Sequence, residues 1–133
     1  PEVLPYLKTE GLKNYDINLS VDILAENGAQ KRVSTSNFKY MYWNMCQQLA
    51  HHTVNGCNMR IGDLLASGTI SGPTPDSYGS MLEICWKGTK PVQMPDGTER
   101  KFIADGDTVV MRGWCEKDGI RVGFGPCDGK IVG

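Results

Sequence analysis

The sequence predicts a mainly β chain of the α+β kind, a β-rich roll or barrel carrying one long helix. Three observations point there. Sixteen glycines and seven prolines among 133 residues break the chain into short pieces, which suits strands and turns better than a helical bundle. Asp16 to Leu24 alternates polar and apolar side chains, the period of a half-buried strand. Only one segment, about 37–55, holds a 3.6-residue apolar spacing long enough for a helix.

Residues 1–14 are mixed in character and read as irregular. In the first strand Ile17, Leu19, Val21 and Ile23 share one face, and Asp16, Asn18, Ser20 and Asp22 the other. Two carboxylates on that polar face raise a metal-binding reading, but a solvated or interface face is favoured. Glu26-Asn27-Gly28 supplies a turn, and Gln30 to Thr35 returns, giving a hairpin over about 16–35. Ser36 or Asn37 then caps the helix, with Phe38, Met41, Tyr42, Met45, Leu49 and His52 or Thr53 along its apolar side. Gly56 ends it. The other side holds Tyr40, Trp43, Asn44, Gln47 and His51. Aromatics among uncharged polar groups suit an interface; the alternative is that Trp43 lies partly exposed over a sheet edge.

Residues 59–133 read as a β-roll. Gly62-Asp63 leads into Leu64-Leu65-Ala66, and Gly106-Asp107 leads into Thr108 to Met111. Glycine permits the tight turn, and aspartate bonds nearby backbone N–H groups. Met81 to Trp86 reads as a further strand, Met94 to Thr98 as a hairpin turn, and Asp118-Gly119 as the turn into Ile120 to Phe124.

The length suits one compact domain. A formal net charge of -1, from 14 basic and 15 acidic side chains, argues against holding nucleic acid by phosphate neutralisation. No run reaches the roughly 18 apolar residues of a membrane helix. The N-terminus, Pro1-Glu2-Val3-Leu4-Pro5, lacks the basic and apolar regions of a signal peptide and lacks an initiator methionine. The expectation is a piece of something longer. Cys46, Cys57, Cys85, Cys115 and Cys127 are odd in number and form no C-x-x-C pair, so a reducing compartment is expected rather than a disulfide framework. Cys46, His51, His52 and Cys57 invite a zinc reading. Adjacent helical histidines point about 100° apart, which favours buried thiols and helix-surface histidines instead.

Two segments carry candidate chemistry. In Gly62 to Pro73 an apolar run enters a loop rich in glycine and hydroxyls, able to bring donors near an anionic substrate. It fits neither a P-loop nor a nucleophile elbow, and an ordinary turn is the competing reading. Glu83 is a carboxylate within the apolar stretch Met81 to Trp86. Facing inward, it needs a partner or a task; facing outward, it needs neither. The two adjacent histidines support no Ser-His-Asp or Cys-His arrangement, and no acidic cluster has metal-ligand spacing. Alone, the chain does not read as a self-sufficient enzyme.

Ser36 to Asn58, Gly62 to Pro73, Tyr78 to Glu83, Trp86 to Pro91 and the ending Gly119 to Lys130 closely resemble the fumarylacetoacetase family. The Gly-Asp…Gly-Thr element is shared with decarboxylases, hydratases and acylpyruvate hydrolases of the wider superfamily. Gly68-Thr69-Ile70-Ser71-Gly72-Pro73 with Trp86-Lys87-Gly88-Thr89-Lys90-Pro91 is more specific. The resemblance implies that residues 1–133 are the C-terminal part of the catalytic domain, a mixed β-sandwich roll. It implies a cytosolic homodimer that hydrolyses the C–C bond of 4-fumarylacetoacetate, the last step of tyrosine and phenylalanine breakdown. It implies Mg²⁺ or Ca²⁺ on the diketone oxygens, with ligands outside this chain, and no nucleic acid or membrane partner. Carried over by position, Glu83 would be the carboxylate partner of a catalytic histidine that lies upstream, and Thr69 would bind substrate. His51 and His52 match helix positions without a catalytic role. The isolated chain is expected to be inactive. A structural or dimerisation module without a formed site, and another β-diketone hydrolase or acylpyruvase, are the alternatives.

Overall fold

The structure, a computed structural model, describes residues 2–11 and 14–133. The irregular reading of residues 1–14 therefore falls, at Pro1, Leu12 and Lys13, outside the described residues. The described part opens with a 3-10 turn at Pro5–Leu7.

The fold is mainly β. Strand β1, Asn18–Leu24, and strand β2, Gln30–Asn37, form an antiparallel hairpin. Its loop is closed by Ala25 N–H donating to Ala29 O at 2.8 Å, with Gly28 in the left-handed region. Strands β3, Val92–Gln93, and β4, Glu99–Arg100, form a second small hairpin around Asp96-Gly97. Strands β5, Thr108–Lys117, and β6, Ile120–Lys130, form the third. Asp118 and Gly119 both take positive φ, +53° and +77°, the paired requirement of a two-residue loop matching the strand twist. The first and last hairpins join into one antiparallel sheet, ordered β2-β1-β5-β6. Among the described residues it does not close into a barrel. One core cluster consists of Ile23, Ala25 and Met94, with Ala29, Val33 and Met81 packed against it; Leu7, Phe38, Cys85 and Val110 are buried as well.

Four expectations are corrected. The helix expected over 37–55 is two pieces. Asn37 Oδ1 accepts from Lys39 N–H at 2.9 Å and caps only a 3-10 turn, Phe38–Tyr40. The chain then extends at Met41. Helix α1, Met45–Thr53, begins where Asn44 and Gln47 cap each other, each backbone N–H donating to the other's side-chain oxygen, at 2.9 and 3.0 Å. That reciprocal box satisfies two otherwise orphaned donors, so the register of the cap, not the longer apolar spacing, sets the start.

Met81 to Trp86 is not a strand. Met81–Ile84 form a short helix, α2, with Ser80 as N-cap. The roll expected over 59–133 is a sheet only from β5 onward, apart from the β3–β4 hairpin. Leu64 and Leu65 are exposed and in no strand, and Asp63 closes a local turn by accepting from Arg60 N–H at 2.8 Å. By contrast, Gly106-Asp107 does lead into β5.

The polar face of β1 is not solvated at its centre. Asp22 is 2% exposed and Ser20 equally buried. β1 lies between β2 and β5, so Arg32 and Arg112 reach Asp22 from both sides. Arg32 donates to its two oxygens at 3.0 and 3.1 Å, and Arg112 to Oδ2 at 3.0 Å. The carboxylate is an ion-pair hub rather than an open metal ligand.

Candidate functional site

The site is built where the loop over residues 69–72 meets the start of α2. Ser80 ends the preceding extended backbone, and its Oγ accepts from Glu83 N–H at 3.3 Å. This capping turns Glu83 back toward the loop. Ser71 Oγ lies 3.0 Å from Glu83 Oε1 and 2.8 Å from Oε2, and Ser80 Oγ lies 3.0 Å from Oε2. Gly79 N–H donates to Ser71 Oγ at 3.1 Å. The two segments can approach this closely because Gly79 has no side chain: a Cβ there would sit 2.5 Å from the Ile70 carbonyl oxygen and 2.7 Å from Thr69 Cγ2.

Glu83 is solvent-exposed. Its carboxyl is held below the ordinary carboxylate range, first by the Ser71 hydroxyl, with Ser80 and the Gly79 and Ser80 backbone N–H groups adding to it and desolvation opposing. Hydrogen bonds donated to the charged form are the cause. The group is therefore an ionised acceptor at neutral pH, suited to holding an N–H donor rather than donating a proton itself.

Thr69 and Glu83 line one open depression of about 530 Å³ together with Ser71, Ser80, Tyr40, Met41, Tyr42 and Trp43. The two sequence-predicted residues are thus brought together, although 14 positions separate them. The aromatic wall comes from Tyr40, the last residue of the 3-10 turn, and from Tyr42 and Trp43 in the bend that leads into α1. Sequence reasoning gave Ser71 and Ser80 no individual part. The signal was present in Ser80-x-x-Glu83, the spacing of a capping box, but the alternating reading of Met81 to Trp86 hid it.

The Glu83 carboxylate is bonded by the Ser71 and Ser80 hydroxyls, and Thr69, Tyr40 and Tyr42 also line the depression. Among the described residues no group of three His, Cys, Asp or Glu side chains gathers as a metal centre requires. Among the described residues, the side chains around Glu83 do not by themselves make up a divalent-ion ligand set. The Cys46–Cys57 region is no exception: both thiols are exposed, not buried, Cys57 Sγ lies 3.5 Å from His52 Nε2, and Tyr6 Oη lies 3.0 Å from His51 Nδ1. The two imidazoles face different partners. All five cysteines are free thiols. No helix among the described residues is long and apolar enough to cross a membrane.

Comparison with known proteins agrees with the resemblance seen in the motifs. The chain is 57% identical over 133 residues to fumarylacetoacetase of Homo sapiens, covering 99% of this chain and 32% of that protein. It is 56% identical over 135 residues to fumarylacetoacetase of Dictyostelium discoideum, with the same coverage. Against fumarylacetoacetase of Arabidopsis thaliana the identity is 54%, over 99% of this chain and 31% of that protein. The chain thus spans about a third of the length of the curated relatives it matches. The family profile described as fumarylacetoacetate (FAA) hydrolase C-terminal matches residues 1–132, and with that span matched the chain belongs to the fumarylacetoacetate hydrolase family.

Proposed function

We propose that this chain is the C-terminal segment of an enzyme that hydrolyses the C–C bond of 4-fumarylacetoacetate to fumarate and acetoacetate, the last step of tyrosine and phenylalanine breakdown. The observation that supports this most is the ionised Glu83 carboxylate, fixed by Ser71 and Ser80 over the depression that also holds Thr69. In the reaction the oxygen of water bonds to the fumaryl carbonyl carbon. The C–C bond breaks, its electron pair leaves as the acetoacetate enolate, and a proton from water ends on that carbon. Glu83 is the carboxylate that orients and supports a histidine base contributed from outside residues 1–133, and it keeps the imidazolium favourable once formed. Thr69 binds substrate through its hydroxyl or backbone.

A divalent ion, Mg²⁺ or Ca²⁺, belongs to this reading of the full-length protein. Its chemistry is the stabilisation of oxyanion charge, and its ligands lie outside this chain. The four-stranded sheet is read as part of a larger mixed β-sandwich roll, and the full-length protein as a cytosolic homodimer. The exposed side chains of Tyr40, Tyr42 and Trp43 support an interface on that side.

The test is fumarylacetoacetate hydrolysis by the full-length protein and its Glu83→Gln variant. The expected result is a fall in kcat of about a hundredfold or more with a much smaller change in KM. An unchanged kcat would remove Glu83 from the reaction. The isolated chain is expected to show no turnover with Mg²⁺ present.

A further inference from the structure

We propose that Ser71 is a positioning residue for Glu83, the hydroxyl that fixes where the carboxylate points and so where its partner base can stand. The inference rests on the reading of Glu83 given above. A glutamate on a four-residue helix, exposed to solvent, would ordinarily sample many rotamers, and ordering it carries an entropic cost. Here both of its oxygens lie within 3.0 Å of one hydroxyl, Ser71 Oγ. That hydroxyl is itself oriented. Its oxygen accepts from Gly79 N–H at 3.1 Å, which directs its single proton toward the carboxylate. Ser80 differs in kind, because its Oγ also caps α2. Ser71 caps no element, so its contact with Glu83 can be removed without removing a helix start.

Ser71 also carries a register. It stands two residues after Thr69 on the same loop, and both line the depression with Glu83. The hydroxyl therefore ties the proposed substrate-binding residue to the proposed base-supporting carboxylate. With both serine hydroxyls on Oε2 at 2.8 and 3.0 Å, Oε1 keeps acceptor capacity for an imidazole N–H. Besides Glu83, the titratable groups lining the depression are the Tyr40 and Tyr42 phenols.

Two measurements on the full-length protein test this. In the first, the Glu83 carboxyl is titrated by carbon NMR, with Glu83→Gln assigning the signal. Ser71→Ala is expected to move the Glu83 midpoint to higher pH; an unmoved midpoint overturns the proposal, whatever the protein's substrate. In the second, fumarylacetoacetate turnover is followed against pH. Ser71→Ala is expected to lower kcat about ten- to a hundredfold with little change in KM, the size of a lost bond to a charged group. It is also expected to raise the pH of the acid limb. A kcat loss without movement of that limb would mark Ser71 as merely structural. If Glu83→Gln leaves turnover intact while the NMR midpoint still responds to Ser71, the functional reading fails and the positioning stands.

Discussion

Arg100 grips Asp107 with two parallel hydrogen bonds, Nε to Oδ2 at 2.8 Å and Nη2 to Oδ1 at 3.0 Å. The carboxylate is 1% exposed, and Ala104 N–H adds a third bond at 3.0 Å. One residue thus ties the end of β4 to the start of β5 and closes the turn between them. A fork-shaped guanidinium fits this task better than a lysine would.

Asp107→Asn is expected to destabilise the protein by about 3 kcal/mol, because it leaves a largely buried guanidinium without its counter-charge. Urea unfolding at neutral pH measures this. A loss within experimental error would mean that solvent reaches Arg100 and compensates.

The same pair sets a pH dependence. Bonds from Arg100 hold the Asp107 carboxyl below its ordinary value, with desolvation opposing and Ala104 N–H assisting. Its folded pKa lies below the unfolded value of about 3.9. The contribution is therefore fully present above about pH 4 and is lost as pH falls through the folded pKa. The stability gap between the protein and Asp107→Asn is expected to shrink on acidification in that window. A gap that stays constant down to strongly acidic pH would place its origin elsewhere.

Asn44→Ala is expected to cost about 1 kcal/mol and to reduce helical circular dichroism, since it removes half of the reciprocal cap with Gln47. Asn37→Ala should leave that helical signal intact, because Asn37 caps only the 3-10 turn. Equal helix loss in both variants would mean one continuous helix in solution.

These capping residues also show which parts of the fold were legible. The loops at Asn27-Gly28, Asp96-Gly97 and Asp118-Gly119 rest on chemistry contained within a few neighbouring residues, and so their positions can be read directly. Asp22 cannot be placed that way. One of its partners, Arg112, lies 90 residues downstream, and only the pairing of β1 with β5 brings the two together. The 37–55 segment failed for a different reason: apolar spacing at 3.6 continues through residues that local capping splits in two. At the site, motif resemblance singled out Thr69 and Glu83, whereas the Ser71 contact needs the fold of the 69–72 loop against α2.

Thr69→Ala in the full-length protein is expected to raise KM for fumarylacetoacetate several-fold before it lowers kcat, the pattern of lost ground-state binding. Steady-state kinetics decide this. Unchanged KM and kcat would remove Thr69 from the site and leave its place beside Gly79 as packing alone.

Gly79→Ala tests the geometry without deleting any chemical group. The added methyl would meet the Ile70 carbonyl at 2.5 Å and Thr69 at 2.7 Å, and the first of these is backbone that cannot swing aside. The loop must therefore move away from the start of α2, which lengthens the Gly79 N–H to Ser71 Oγ bond and carries Ser71 off Glu83. The stability cost is expected at about 1–3 kcal/mol, with kcat falling as far as in Ser71→Ala. Gly72→Ala makes a useful contrast. Its methyl would meet mainly the Ser77 side chain, at 2.5 Å, and the Tyr40 ring, at 3.0 Å, so it strains the same loop without touching the Ser71–Glu83 contact directly. Comparable stability loss in the two variants, with kcat falling only in Gly79→Ala, is the expected result. Equal kcat in the two would mean that loop strain, and not the register of Ser71 against Glu83, governs the site.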